Sequence, residues 1–366
     1  MKNRFLLSLL LLPLLFTGCG KGVFIPGKQV RFQVTSPEVQ TRTAYEGSVS
    51  DGIERINWIS GTDELRIYCA QSPTTSADYK IDEVTSQGVK SIATIVAVGE
   101  SVTFGGEEEH TFYGIYPSPT MFGSEPDASA FSITDERATW KIPATQKVTR
   151  VGTSNVYAPD MRYAALLAKA TGTAADETVA IPFYPMFDAF QFSISSGENE
   201  TVHVTSFTMT QGGDNALLAG SIYTATTMDG EPNEYYPLDA KQIAVVEGTT
   251  TSASITVDFT NLTDGSLVLT QEGGPVTFTI FTLPLNLDAL TIAFDGTETG
   301  TVTLALKEKN GPSIKFSRCR KYNISGLSFP KVDNGTATGS EINWNGTIGE
   351  DLYWQGALGE DVTWLN

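Results

Sequence analysis

Apolar and polar residues alternate along most of the chain. Val30, Phe32 and Val34 are separated by Arg31 and Gln33, so an extended backbone turns three apolar side chains to one side. Pro37 closes this run. The same two-residue period returns at Arg55–Trp58, Leu65–Cys69, Ile92–Val98, Thr111–Tyr116 and Thr139–Ile142. Turn-forming clusters such as Ser60-Gly61-Thr62-Asp63, Gly105-Gly106 and Ser118-Pro119 lie between these runs. Farther on, strands are expected at Thr178–Pro185, Phe187–Ile194, Val202–Met209, Leu217–Tyr223 and Ile243–Val246. The series continues with Ser254–Phe259, Val276–Leu283, Leu290–Phe294, Thr301–Leu306 and Ile314–Phe316. Only Met161–Ala170 suits a helix, with Met161, Ala165 and Leu166 on one face. Many short strands at even spacing predict an all-β chain of two tandem β-sandwich domains, residues 28–180 and 181–331.

The two ends depart from this pattern. Basic Met1–Arg4 precedes an apolar run, Phe5–Phe16, that is too short to span a bilayer, so residues 1–18 read as a secretory signal. It ends in Phe16-Thr17-Gly18-Cys19, which resembles a bacterial lipobox, although Phe16 stands where Leu is usual. The Cys19 thiol then takes a diacylglyceryl group, cleavage makes it the first residue, and residues 19–27 form a short tether. At the other end, residues 332–366 carry six acids and no base. Here a ten-residue unit repeats, with Ile342, Trp344 and Ile348 in one copy and Leu352, Trp354 and Leu358 in the next; a third is cut short at Trp364. Each copy, extended, shows an apolar face that needs a cover. The tail is therefore expected to be short and β-rich.

Composition adds limits. A formal charge of −18, made more negative by two once Lys2 and Arg4 leave with the leader, repels phosphate backbones and excludes a nucleic-acid partner. Hydrophobic residues at 40% are enough for packed cores. Cys69 and Cys319 form no C-x-x-C pair and read as unpaired strand residues, with a long-range disulfide as the alternative. His110 and His203 are the only histidines, and no nucleophile elbow, H-E-x-x-H or phosphate-cradling loop is present. Glu107-Glu108-Glu109-His110 and Asp229–Glu234 carry metal-type donors, but both read as solvated loops. No cofactor and no enzyme activity are expected.

Several segments in series resemble the fimbrillin family of Bacteroidales, the lipoprotein precursors of pilus subunits and of their anchor or tip proteins. They begin with the lipobox at Cys19, Gln40-Thr41-Arg42-Thr43, Ile56-Asn57-Trp58 and Asp63-Glu64-Leu65-Arg66-Ile67-Tyr68. Phe112-Tyr113-Gly114-Ile115-Tyr116-Pro117, Ile142-Pro143-Ala144-Thr145-Gln146, Pro185-Met186-Phe187-Asp188-Ala189-Phe190-Gln191-Phe192 and Phe281-Thr282-Leu283-Pro284 follow. The resemblance implies transthyretin-like sandwiches, lipoprotein export, a place on the outer membrane or a fimbria, and other fimbrial subunits as partners. It also implies cleavage by an arginine-specific protease that removes the first strand, here after Arg42, because a cut at Arg31 splits that strand. Val30, Phe32 and Val34 are then the displaced residues, and the slot accepts a neighbour's strand. Anchor and tip proteins need no cut, which leaves Arg42 an ordinary loop residue in that case. For the tail three readings stay open: a donor strand, an aromatic surface for glycan or host protein, or a meander folded back on the second domain.

Overall fold

A computed structural model of the chain describes residues 27–35, 58–87, 91–122, 129–196, 201–212, 217–225, 243–245, 249–283, 290–296, 300–306, 321–329, 343–344 and 348–349. The expected all-β class is what the chain adopts. In chain order the first strands are β1 (Phe32–Thr35), β2 (Glu64–Tyr68), β3 (Ser76–Gln87), β4 (Ser91–Ala97), β5 (Glu109–Tyr116) and β6 (Ser129–Ser132). Then come β7 (Arg137–Ile142), β8 (Thr145–Gln146), β9 (Val148–Arg150), β10 (Val156–Pro159), β11 (Leu166–Thr173) and β12 (Val179–Pro185). Seven of these join edge to edge in the order β1-β12-β11-β5-β2-β3-β4, closing into a barrel in which the two faces of a sandwich run into one another.

Alternation explains the barrel interior. Leu65 and Ile67 of β2, Ala77, Tyr79 and Ile81 of β3, and Val179, Ile181 and Phe183 of β12 are all buried. Aromatic rings fill the space edge to face: Phe32 against Tyr79 at 5.4 Å and Phe112 at 5.2 Å, Trp58 against Tyr116 at 5.3 Å and Phe183 at 5.6 Å. Gly114 makes room for this packing, since a Cβ there would lie 2.7 Å from the Phe183 ring. The expected helix at Met161–Ala170 is absent. Asp160 caps a single 3-10 turn, Met161–Tyr163, and Leu166 onward continues as β11 between β5 and β12. Leu166, Leu167 and Ala168 are buried in succession, so the strand loses the alternation that marks a half-exposed one.

The second half continues with β13 (Asp188–Ser196), β14 (Val202–Gln211), β15 (Gly220–Ala225), β16 (Ile243–Val245), β17 (Ser254–Asp258) and β18 (Leu267–Leu269). After these come β19 (Val276–Thr282), β20 (Leu290–Gly296), β21 (Gly300–Leu306), β22 (Lys321–Phe329), β23 (Asn343–Trp344) and β24 (Ile348–Gly349). One sheet runs β23-β22-β13-β19-β10-β9 with β24 also on β22, and a second runs β21-β20-β14-β17-β8 with β18 on β14. A third is β16-β15-β7-β6. Hydrogen bonding thus crosses residue 180: β7 pairs with β15, β8 with β17 and β10 with β19. Phe192 and Phe278 of the first sheet meet Phe207 of the second at 4.6 and 5.0 Å, which seals the space between the sheets. The buried apolar residues form one continuous cluster from Val30 to Leu327.

Candidate functional site at the barrel seam

β1 is four residues long yet has a neighbour on each side. It runs parallel to β12, from Phe32 opposite Val179 to Thr35 opposite Pro182, and antiparallel to β4, from Gln33 opposite Thr94 to Thr35 opposite Ile92. Val179 N donates to Arg31 O at 2.8 Å. The residues leading into β1 pair instead with the segment after β4. Phe104 N donates to Lys28 O at 3.0 Å, and Gly27 N donates to Phe104 O at 2.9 Å. Lys28 Nζ reaches across to Ala174 O at 2.7 Å, which fastens the start of the strand to the β11–β12 turn. Val30, Phe32 and Val34 are 6%, 3% and 0% exposed, so all three face the core as the alternation predicts, while Arg31 faces solvent. Each buried side chain of this size contributes about 1.5–3 kcal/mol.

This strand is therefore the stave that closes the barrel. Without it, β12 and β4 would each present a row of unpaired backbone groups over an apolar slot. A second strand of the same alternation can satisfy both rows, and an arbitrary loop cannot.

Behind the seam the run Glu107–His110 departs from the solvated loop expected of it: the three glutamates are exposed, but His110, within β5, turns inward. His110 is 0% exposed, and its Nε2 accepts from Gly105 N at 2.6 Å, holding the segment that grips residues 27–30. Its ring lies edge-on to Phe104 at 5.1 Å and stacks with Phe112 at 6.2 Å. A Cβ on Gly105 would come 2.0 Å from Gln71 O, so the close approach needs glycine. An accepting Nε2 puts the proton on Nδ1, which is buried and has no hydrogen-bond partner. Burial pushes the imidazole below its ordinary value of 6.5, and Glu107 only partly opposes this. A group with a lowered basic pKa binds its proton more readily when unfolded. Its contribution is thus complete above about 6.5 and is lost as pH falls through that value toward the folded one. Urea unfolding at pH 7.5 and 5.5 is expected to show a stability loss at acid pH that is reduced in His110→Phe; an equal loss in both proteins would contradict it.

The tail is seen only in part. β23 and β24 lie antiparallel along the outer edge of β22, with Trp344 opposite Leu327 and Ile348 opposite Ile324. Two pieces of the first repeat, Asn343–Trp344 and Ile348–Gly349, are thus folded back on the second half. Ile342, Leu352, Trp354, Leu358 and Trp364 lie outside the described residues, as do Cys19, Arg42, Cys319 and Asp229–Glu234. Cys69 is a buried free thiol whose pKa burial raises. Among the described residues no group of three or more His, Cys, Asp or Glu is placed to hold a metal ion, and no helix is long and apolar enough to cross a membrane.

No family model matches the chain, and no curated protein matches its sequence. Among solved structures it is similar to a Bacteroides ovatus protein assigned to cell adhesion, at 14% identity and a TM-score of 0.48, over 82% of this chain and 92% of that one. A Bacteroides uniformis protein with the same assignment shares 15% identity at a TM-score of 0.45, over 86% and 97%. The C-terminally truncated tip fimbrial protein Mfa3 of Porphyromonas gingivalis shares 7% at a TM-score of 0.33, over 83% and 96%. All three of these structures come from species of the Bacteroidales.

Proposed function

We propose that the chain is a fimbrial subunit, or an anchor or tip protein of a fimbria, that assembles at the cell surface by exchanging β-strands. The observation that supports this is the seam: the first strand is short, lies at the N-terminal end of its barrel and is hydrogen-bonded on both sides. In this reading Cys19 carries the lipid that holds the chain to the outer membrane. Cleavage after Arg42 frees the segment bearing Val30, Phe32 and Val34, and the slot between β12 and β4 accepts a strand from another subunit. The alternating Ile342, Trp344 and Ile348, or Leu352, Trp354 and Leu358, match the period the slot demands. The partners are other fimbrial subunits; the work is assembly, with no reaction catalysed and no cofactor.

A second reading rests on the pairing of β23 and β24 with β22. If the tail stays there, the chain accepts a strand without giving one and acts as a cap or anchor. Deleting residues 342–366 separates the two. As a donor-bearing subunit, the cleaved full chain polymerises, and the cleaved deletion variant stays monomeric while still taking up a synthetic peptide of residues 342–358. Unchanged polymerisation of the deletion variant would remove the donor role from the tail.

A further inference from the structure

A pocket of about 540 Å³ opens on the second half of the molecule, built from strands that take no part in the barrel. Its size falls in the range of small-molecule sites. Cross-strand pairing sets its walls. Tyr157 of β10 stands opposite Arg150 of β9, and His203 of β14 stands opposite Val268 of β18, so each pair shares one face of its sheet. Among the lining residues Tyr157 is buried, and Arg150 and Asp264 are exposed.

The lining is held in place before any ligand arrives. His203 Nδ1 is hydrogen-bonded to Ser266 Oγ at 2.8 Å, which fixes the ring and leaves Nε2 for a ligand. Arg150 Nε donates to Ser154 O at 2.8 Å, steadying the guanidinium. Asn155 ties two segments of the lining together: its Nδ2 donates to Gly273 O, and its backbone carbonyl accepts from Thr277 N at 2.8 Å. Gly273 N in turn donates to Thr270 Oγ1 at 3.0 Å, and a Cβ on Gly273 would lie 2.5 Å from that oxygen. Such preorganisation lowers the entropic cost of binding.

The charge balance selects the ligand class. Arg150 and Asp264 offset each other, so the pocket has no strong preference for an anion or a cation, although the chain as a whole carries −18. Burial holds the Tyr157 phenol above its usual value, with Arg150 opposing and Asp264 reinforcing, so the hydroxyl stays neutral and can both donate and accept. Guanidinium, carboxylate, imidazole and amide groups beside the Tyr157 ring and Val268 suit a compound that has many hydroxyls and one C–H face.

We propose that this pocket binds a neutral saccharide of one or two rings, with Tyr157 and Val268 under the sugar's C–H face and Arg150, Asn155, His203 and Asp264 on its hydroxyls. The site is separate from the seam and from β23 and β24, which lie on β22 at the other end of the sheet from β10 and β9, and it does not depend on strand exchange.

The test titrates the full chain with methyl β-galactoside, methyl α-mannoside, lactose and N,N′-diacetylchitobiose, followed by saturation-transfer NMR and calorimetry. At least one of the four is expected to saturate the protein. Asp264→Ala and His203→Ala, with unchanged melting temperatures, each weaken that binding roughly tenfold, and deletion of residues 342–366 leaves it intact. The proposal is overturned if none of the four saturates by about 20 mM. It is equally overturned if the two variants bind like the parent, if binding disappears with the tail, or if sodium sulfate occupies the site and the sugars do not.

Discussion

Phe32→Ala is expected to cost about 3–5 kcal/mol of folding stability, read from the shift in the urea midpoint at an unchanged slope. Phe32 is 3% exposed, and its ring meets Tyr79 and Phe112 edge to face across the barrel interior. Those contacts come from β3 and β5, so the cavity is lined by three strands and cannot close by a local shift. Gln33→Ala is the control, because Gln33 is only half-buried on the outer side of the same strand. A loss below about 1 kcal/mol for Phe32→Ala would mean that the barrel tolerates an empty β1 position. It would also mean that no partner strand is needed to refill it.

Gln146→Leu is expected to cost about 2–5 kcal/mol by the same measurement. The Gln146 side chain is 3% exposed and hydrogen-bonds the backbone of Phe281 twice: Nε2 donates to the carbonyl at 2.6 Å, and Oε1 accepts from the amide at 3.0 Å. β10 pairs with β19 only at Thr277 and Phe278, and farther along β19 the Gln146 amide takes the place of a neighbouring strand. The backbone of Gln146 belongs to β8, in the other large sheet, so one residue links the two sheets. Leucine keeps most of the volume and leaves two buried backbone groups of Phe281 without partners. A near-neutral result would show that water reaches Phe281.

These two residues also show what the amino-acid pattern reveals and what it hides. β2, β12, β13 and β14 are legible because each has one face on a core, and the alternation of Leu65 and Ile67, or of Phe190, Phe192 and Ile194, records that burial directly. β3 escapes notice although Ala77, Tyr79 and Ile81 alternate inward, because Asp78, Lys80, Asp82 and Glu83 make the segment read as polar. β11 is mistaken for a helix because its first residues, Leu166–Ala168, are buried on both faces and show no two-residue alternation. Partner choice is the deeper limit. Nothing local in residues 129–159 says that β7, β8 and β10 pair with strands from the second half, since such contacts are set by the whole sheet.

The candidate site follows the same rule. The inward set Val30, Phe32 and Val34 is read from three residues, whereas the parallel pairing with β12 and the His110 latch depend on residues far away in sequence. The tail's apolar period is equally plain. Its place on β22 could not be anticipated, because the alternation of Tyr322 and Ile324 changes parity before Leu327 and Phe329, where the pairing with β13 shifts register, and nothing local names the partner strand.

Controlled cleavage of the purified chain by an arginine-specific protease addresses strand exchange most directly, with the cut mapped by mass spectrometry and particle size followed by light scattering. The expected result is a single early cut after Arg42, loss of the fragment containing Val30, Phe32 and Val34, and growth of oligomers that Arg42→Ala prevents. A chain that is cut there, keeps its fragment and remains monomeric at high concentration would contradict it.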